Sequence, residues 1–313
     1  MTTNVTKAMR VGLALTIALM FLVLHPSGQS PLDQVAGVRH YSGETVAPVF
    51  EGWEKNADGS FNLVFGYLNR NYEEEPELPV GAANNFSPGP ADRGQPTHFY
   101  PRRQQFMFRV HVPADFGKQE LVWTLTRNGH TEKAVAHLAL EWELTEIVYS
   151  QNRAGLNRDS VTAKPNLPPT ISADSRTPVA AVSGAPVTLS FSAADDGQPP
   201  IPAPRQPNPN AAARRSGPPP EPALINIRQG PVQQQLIKPS RQGLNVTWTL
   251  WRGSGTVRFD PPTMVVKDGK ATTQATFSAP GTYVIRAFAD DGVLFEGGDV
   301  TVTVAAAPKA TNK

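Results

Sequence analysis

Carboxylate and imidazole side chains that could do acid–base chemistry are concentrated between residues 70 and 105. Three consecutive glutamates run from Glu73 to Glu75, and His98 follows in the same stretch. A carboxylate beside a histidine is a common acid–base or metal-ligating pair, so one hypothesis is an extracellular hydrolytic or metal-dependent enzyme that uses Glu73, Glu75 and His98. The chain contains no Gly-x-Ser-x-Gly elbow and no His-Glu-x-x-His sequence. Because neighbouring glutamates in a proline-bounded loop are usually solvated, the sequence favours a protein without catalytic activity.

Aromatic and cationic side chains in the same stretch suit a binding surface better than a catalytic site. Exposed aromatic rings stack against sugars or anchor a protein partner, and neighbouring arginines supply hydrogen-bond donors. The candidate binding residues are Tyr72, Phe86, Phe99, Tyr100, Arg102 and Arg103. The alternative is that the rings fold back and hold the stretch against the sheet beneath it. The sequence leaves both interpretations open.

Paired aspartates occur twice, each pair followed by a glycine. Clustered carboxylates at strand ends suit calcium, which takes about six to eight oxygen ligands. Aspartate before glycine is also the ordinary way for a strand to end in a turn. Because the Asp-x-Asp-x-Asp spacing of a dedicated calcium loop is absent, turns are the favoured interpretation and no metal is expected. The weak calcium candidates are Asp195, Asp196, Asp290 and Asp291.

Composition excludes several classes of protein. The chain has 313 residues, with 31 prolines, 25 glycines and no cysteine. Disulfides, cysteine-ligated metal sites and thiol catalysis are therefore impossible, and the prolines disfavour long helices. The formal net charge of +2 gives no electrostatic case for nucleic acid, and no motif points to a cofactor.

The first thirty residues have the pattern of an export signal. Lys7 and Arg10 precede an uncharged apolar run of 14 residues, from Val11 to Leu24. This run is shorter than the roughly 20 residues that span a membrane, and it matches a secretory signal peptide. We therefore expect residues 1–30 to direct export, which makes the remainder secreted or periplasmic. The alternative is an uncleaved anchor, which is the one way in which the sequence predicts membrane contact.

Alternation of apolar and polar residues predicts an all-β chain with two β-sandwich domains. The first domain is predicted to cover residues 31–149. Within it, every second side chain from Phe61 to Tyr67 is apolar, and Asn128-Gly129 is a strong hairpin signal. Residues 70–105 lack this periodicity and are predicted to form one long loop.

A stretch poor in apolar residues, 150–168, is predicted to link the first domain to a second domain at 169–305. The second domain is interrupted by a proline-rich insertion at 195–243, which has ten prolines between Gln198 and Pro222. That composition favours extended backbone and cannot form a sheet ladder. Residues 306–313 are predicted to be a tail.

The second domain resembles the immunoglobulin-like domains of bacterial exported proteins, especially the PKD group. The matching pieces are Trp248 within a Val-Thr-Trp-Thr run, the block Ala279-Pro280-Gly281-Thr282-Tyr283, and the terminal run Val300–Val304. The resemblance implies that Trp248 lies in the core, that Tyr283 lies at the sheet corner, and that the domain is a spacer, display or contact module. The first domain resembles uncharacterised secreted bacterial proteins, a likeness that implies no activity.

Charge is divided unequally between the two domains. Residues 31–150 hold 10 basic and 16 acidic side chains, net −6, whereas residues 151–313 hold 17 and 11, net +6. This difference is either a drift in composition or a source of attraction at close approach, within the chain or between neighbouring molecules.

Taken together, the motifs and patterns predict a non-catalytic binding or structural protein, with the first domain as the contact surface and the second as scaffold. The expected partner is a protein or a cell-envelope or extracellular glycan.

Overall fold

The computed structural model describes residues 40–153, 165–200, 235–237 and 243–308. The predicted export signal at 1–30, most of the proline-rich insertion and the end of the predicted tail lie outside these residues. Among the described residues, no helix is long and apolar enough to cross a membrane.

The N-terminal half forms a sandwich of two three-stranded antiparallel sheets. Its strands are β1 (Val46–Lys55), β2 (Phe61–Asn69), β3 (Asn84–Ser87), β4 (Arg102–Val112), β5 (Leu121–Arg127) and β6 (His130–Ala136). One sheet has the order β1-β2-β4 and the other β3-β5-β6. The β5–β6 hairpin turns at Asn128 and Gly129, whose φ angles of 53° and 77° are those that an Asn-Gly turn tolerates.

Aromatic rings from both sheets meet between them. Phe65 on β2 and Phe108 on β4 stack with ring centroids 5.5 Å apart. Phe86 on β3 stacks on Trp123 of β5 at 5.8 Å, and Trp123 meets Phe108 edge-on at 5.1 Å. All four side chains are buried, so this cluster is the apolar contact that holds the two sheets together without a disulfide.

The C-terminal half forms a second sandwich, of a four-stranded and a five-stranded sheet. Its strands are β7 (Thr170–Ala173), β8 (Val179–Val182), β9 (Pro186–Ala194), β10 (Asn245–Arg252), β11 (Val257–Asp260), β12 (Thr263–Val265), β13 (Lys270–Phe277), β14 (Gly281–Asp290) and β15 (Phe295–Ala305). The sheets have the orders β11-β13-β9-β7 and β12-β10-β14-β15-β8. Within these, β8 pairs in parallel with β15. The all-β, sandwich prediction is confirmed.

Trp248 and Tyr283 lie inside the C-terminal sandwich, as the resemblance implies. The Tyr283 ring packs against Phe277 of the facing sheet, with centroids 4.8 Å apart. Its hydroxyl lies 2.6 Å from the carbonyl oxygen of Ser254 and 2.7 Å from that of Ala279, and it donates to these backbone acceptors. This ties the start of β14 to the loop after β10, which is the geometry of a tyrosine at a sheet corner.

One stretch differs from the sequence-based expectation, and a second takes one of two forms that the sequence allows. The predicted long loop at 70–105 contains β3, a strand too short to show a period, and its last residues already belong to β4. The stretch from Leu138 to Val148, whose pattern fits either a strand or a short helix, forms a 3-10 helix, Leu140–Trp142, and the start of α1 (Glu146–Asn152). Tyr149 of α1 packs on the ring of Phe106 at 4.6 Å.

Apolar side chains of the two sandwiches share one cluster. Phe108 of β4 meets Trp251 of β10 edge-on at 6.0 Å, and Trp251 meets Phe288 of β14 at 6.2 Å. Met107 and Phe295 are buried in the same cluster. Residues from His40 onward therefore form a single compact unit in which the two sandwiches are in direct contact.

Candidate functional site

Residues 92–100 of the predicted binding stretch face the C-terminal sandwich. The backbone N–H of Thr97 donates to the carbonyl of Trp251 at 3.0 Å, and the Trp251 indole N–H donates to the carbonyl of Gly94 at 3.0 Å. Arg252 forms a bidentate ion pair with Asp92 at 2.7 and 2.9 Å. This pair, together with a hydrogen bond, lowers the pKa of the Asp92 carboxyl. Residues 92–100 thus act as the seam between the two sandwiches.

Three of the predicted binding residues, Phe86, Phe99 and Tyr100, make structural contacts instead of a free surface. Phe86 and Phe99 are buried in the N-terminal core, where Phe99 meets the Tyr67 ring at 5.0 Å. The Tyr100 hydroxyl accepts a hydrogen bond from the backbone N–H of Leu250 at 2.8 Å, and burial raises the Tyr100 pKa. Of the two interpretations that the sequence leaves open, these rings follow the second, in which they hold the stretch in place.

Arg103 also has a structural position. Its guanidinium pairs with the buried carboxylate of Glu51 at 2.7 Å and donates to the carbonyl of Gln104 at 3.0 Å. Burial raises the Glu51 pKa even though Arg103 opposes that shift. Because an ion pair with a buried partner is costly to break, Arg103 is poorly placed to release its hydrogen bonds to a ligand.

The candidate catalytic residues come together only in part. His98 Nε2 lies 2.8 Å from Glu75 Oε2, and the His98 ring packs edge-on against Tyr100 at 4.8 Å. His98 itself is buried, and its backbone N–H points to the carbonyl of Trp251 at 3.4 Å. Glu73 is exposed and is not part of this hydrogen-bonded pair. A buried histidine packed into the seam is suited to holding the two sandwiches together rather than to turning over a substrate.

Tyr72 and Arg102 remain at the surface and lie against one another. The Arg102 guanidinium carbon is 4.1 Å from the centre of the Tyr72 ring, which is a cation–π contact. Arg102 also donates to the carbonyl of Arg70 at 2.8 Å, which fixes the guanidinium in place. Its φ angle is +64°, a left-handed conformation that non-glycine residues rarely adopt outside turns and functional sites.

Tyr41 extends this surface and is not among the binding residues predicted from the sequence. The backbone N–H of Tyr72 donates to the carbonyl of His40 at 3.0 Å, and Glu73 and Glu74 donate to the carbonyl of Tyr41. Tyr41 is 58% exposed, one of the most exposed aromatic side chains in the described part of the chain. No sequence signal identified Tyr41, because it lies outside any strand and pairs with residues about thirty positions away. The surface of Tyr41, Tyr72 and Arg102 is hereafter the tyrosine–arginine patch.

The two aspartate pairs cap turns. Asp195 accepts from the N–H of Gly197 at 2.9 Å, and Asp196 accepts from that of Gln198 at 2.8 Å. Asp291 accepts from the N–H groups of Val293 and Leu294. Asp290 accepts from the N–H of Gly292 and is ion-paired with the buried Arg153. Within the described ranges, no group of three or more His, Cys, Asp or Glu side chains is arranged to hold a metal ion.

Part of the proline-rich insertion packs on the N-terminal sandwich. The backbone N–H of Leu236 donates to Gln104 Oε1 at 2.9 Å, and the Gln235 side chain donates to that of Gln105 at 2.7 Å. Ile237 is buried in the cluster that both sandwiches share. Residues 235–237 lie beyond the proline-dense stretch 198–222 to which the composition argument applies, and Leu236 and Ile237 supply the apolar side chains for this packing.

Comparison with known proteins gives neither a family nor a curated relative. No family model matches the chain, and no curated protein matches it. Solved structures to which it is similar include domains 4 and 5 of the S-layer protein SbsC, at 13% identity and a TM-score of 0.24, covering 60% of this chain and 66% of that one. A second is the structure of the fibronectin(III)-like modules of CbhA from Clostridium thermocellum, at 10% identity and a TM-score of 0.23, covering 86% of this chain and 98% of that one. A third is the D00–D0 domain of intimin, at 9% identity and a TM-score of 0.23, covering 83% of this chain and 100% of that one. The chain spans just under two thirds of the SbsC fragment. These TM-scores are low, so the fold is defined by the strand pairings described above and not by these similarities.

Proposed function

We propose that this protein is an exported, non-catalytic binding protein that contacts an extracellular partner through the tyrosine–arginine patch. The C-terminal sandwich, which we take to be of the PKD-like type, acts as the scaffold that carries the N-terminal sandwich. The observation that supports this most is the fixed stacking of Arg102 on Tyr72 beside the exposed Tyr41.

The chemistry of the patch fits a glycan. Aromatic faces pack against the C–H faces of sugar rings, while a guanidinium donates hydrogen bonds to hydroxyl groups. Because Arg102 is already held by Tyr72 and by the carbonyl of Arg70, little side-chain entropy is lost when a ligand binds. A protein partner is the second candidate, since Tyr and Arg are also the residues enriched in protein interface hot spots.

The test is a glycan array and a secreted-protein array, probed with the chain from residue 31 onward. Both sandwiches are kept in this probe because they share one apolar cluster. We expect a glycan signal that falls at least tenfold, about 1.4 kcal/mol, in the variant Tyr41→Ala/Tyr72→Ala.

Val135→Ser, a change at an exposed apolar side chain on β6, is the matched control and should keep the signal. Signals confined to the protein array would favour the second candidate. Binding that survives in the tyrosine double variant, or no binding to either array, would contradict the proposal for this patch.

A further inference from the structure

Arg102 is the charged member of the tyrosine–arginine patch, and no carboxylate among the described residues forms an ion pair with it. By contrast, Arg70, Arg103, Arg109 and Arg127 of the same half of the chain each pair with a glutamate. A guanidinium does not lose its proton in proteins. Arg102 therefore presents a positive charge that the described part of the fold does not neutralise.

The hydrogen-bonding edge of the Arg102 guanidinium is open. Its Nη1 group donates to the carbonyl of Arg70 at 2.8 Å. The ring of Tyr72 lies against a face of the guanidinium, and stacking on a face leaves the in-plane N–H groups available. The Nε and Nη2 groups have no partner among the described residues and are not buried, so they face solvent.

This open edge has the geometry that a carboxylate needs. The Nε–H bond and one Nη2–H bond run parallel, and this fork matches the two oxygens of a carboxylate. A sugar hydroxyl offers one oxygen and no charge, so it uses the fork only in part. Because Tyr72 and the carbonyl of Arg70 already hold the guanidinium, little side-chain freedom is lost when a carboxylate binds.

The other charged side chains of residues 40–44, 70–75 and 102–103 are partnered within the fold, with one exception. Glu73 is exposed and pairs with no cation among the described residues. It follows Tyr72 directly, so its carboxylate opposes an anionic ligand on the patch. The partnered groups are the pairs His40–Glu44, Arg70–Glu132, Glu74–Arg127, Glu75–His98 and Arg103–Glu51.

We propose that the ligand of the tyrosine–arginine patch is a carboxylated glycan, whose uronate carboxylate binds the Nε–Nη2 edge of Arg102. The inference rests on the proposed function, because it names the ligand class of the same patch. Tyr41 and Tyr72 supply affinity that acidic and neutral sugars share, since both present C–H faces to an aromatic ring. Arg102 is the residue that determines the preference for the acidic sugar.

The test uses polygalacturonate, alginate and hyaluronate, each compared with a carboxyl-reduced preparation of the same polymer. The protein is the chain from residue 31 onward, and the dissociation constants are measured by titration. We expect at least one of the three polymers to bind about tenfold more tightly than its reduced form, because reduction removes a charge-assisted bidentate contact. The preference should shrink as the NaCl concentration rises from about 0.05 M to about 0.5 M, because salt screens an exposed ion pair.

Four variants separate the charge of Arg102 from other effects. Arg102→Gln keeps polar N–H donors without the charge, so it should bind acidic and reduced polymers equally. Arg102→Lys keeps the charge without the fork and should retain only part of the preference. Glu73→Gln should tighten binding of the acidic polymer about twofold and leave the reduced polymer unchanged. The matched control is Arg176→Gln, which removes an exposed arginine of the C-terminal sandwich and should keep the full preference.

Equal binding of acidic and reduced polymers that is lost in Tyr41→Ala/Tyr72→Ala would overturn this inference and leave the proposed function standing. An acid preference that Arg102→Gln retains would also overturn it. Dextran sulfate is measured alongside, and binding as tight as that of the best carboxylated polymer would assign the edge to oxyanions in general, against a carboxylate site. No binding to any polymer, acidic or reduced, would contradict the inference together with the glycan proposal on which it rests.

Discussion

The phenol oxygen of Tyr100 accepts a hydrogen bond from the backbone N–H of Leu250, 150 residues further along the chain, at 2.8 Å. Tyr100 belongs to the N-terminal half, and Leu250 to the five-stranded sheet of the C-terminal sandwich. The N–H of Tyr100 in turn donates to the Tyr67 hydroxyl at 3.0 Å. The buried Tyr67 and the half-buried Tyr100 therefore connect β2 of one sandwich to β10 of the other.

This connection predicts the effect of Tyr100→Phe. The substitution keeps the ring and removes the acceptor, so the Leu250 N–H is left buried without its partner. We expect the free energy of unfolding to fall by about 1–3 kcal/mol, measured by chemical denaturation. Tyr41→Phe, at an exposed tyrosine, is the control and should leave stability unchanged; an equal loss in both variants would contradict the role given to the Tyr100–Leu250 bond.

Replacing Gly52 by alanine is expected to cause a steric clash in addition to backbone strain. A Cβ at this position would lie 2.3 Å from the carbonyl oxygen of Trp142 and 2.7 Å from Leu144 Cγ. We expect Gly52→Ala to lower the free energy of unfolding by about 1–3 kcal/mol more than Gly81→Ala.

Gly81 is the matched control because its φ of 145° is close to the 141° of Gly52, while a Cβ there meets no atom within 4 Å. Both substitutions place an alanine at the same unfavourable φ, and only the first displaces residues 142–144. If the two variants unfold at the same denaturant concentration, the close approach of Gly52 to residues 142–144 is wrong.

Asp291 predicts a pH dependence of stability. Burial, together with the neighbouring Asp290 carboxylate and opposed by hydrogen bonds from the N–H groups of Val293 and Leu294, raises its pKa from 3.8 to about 7. Between these two values the folded chain holds a proton that the unfolded chain releases. The contribution of the Asp291 carboxyl to the free energy of unfolding is therefore fully present below about pH 4 and is lost as the pH rises toward 7.

Asp291→Asn imitates the protonated carboxyl and cannot ionise. We expect the variant to gain stability relative to the wild type between pH 5 and pH 8, measured by urea unfolding at each pH. Asp115→Asn, at an exposed aspartate, should show a difference from the wild type that does not change with pH. A difference for Asp291→Asn that is flat or falls with pH would contradict the assigned shift.

The sequence predicted those parts of the fold in which one face of a strand is buried. The alternation in β13 and in the first part of β14, and the Asn-Gly turn before β6, follow from local patterning alone. Trp248 and Tyr283 were placed through a family resemblance, and both are buried.

Contacts between the sandwiches could not be predicted in the same way. On β10, alternation assigns Trp248 to the core and leaves Trp251 on the opposite face, yet both are buried, because the second face of the strand is covered by the N-terminal half. Phe86 and Phe99 are buried in the N-terminal core, and Tyr100 is half-buried against the C-terminal sandwich. A stretch without a period is thus ordered by the sheets that it packs against. Of the candidate site, the sequence identified Tyr72 and Arg102 but missed Tyr41, whose neighbours are distant in the chain.

Residues 92–100, with Trp251 and Phe288, join the two sandwiches in one fixed arrangement. Residual dipolar couplings of backbone amides in the chain from residue 31 onward measure this most directly, since each sandwich reports its own orientation. We expect one alignment tensor to fit the amides of β1–β6 and of β7–β15 together. Two tensors of different magnitude or direction, one for each sandwich, would contradict it.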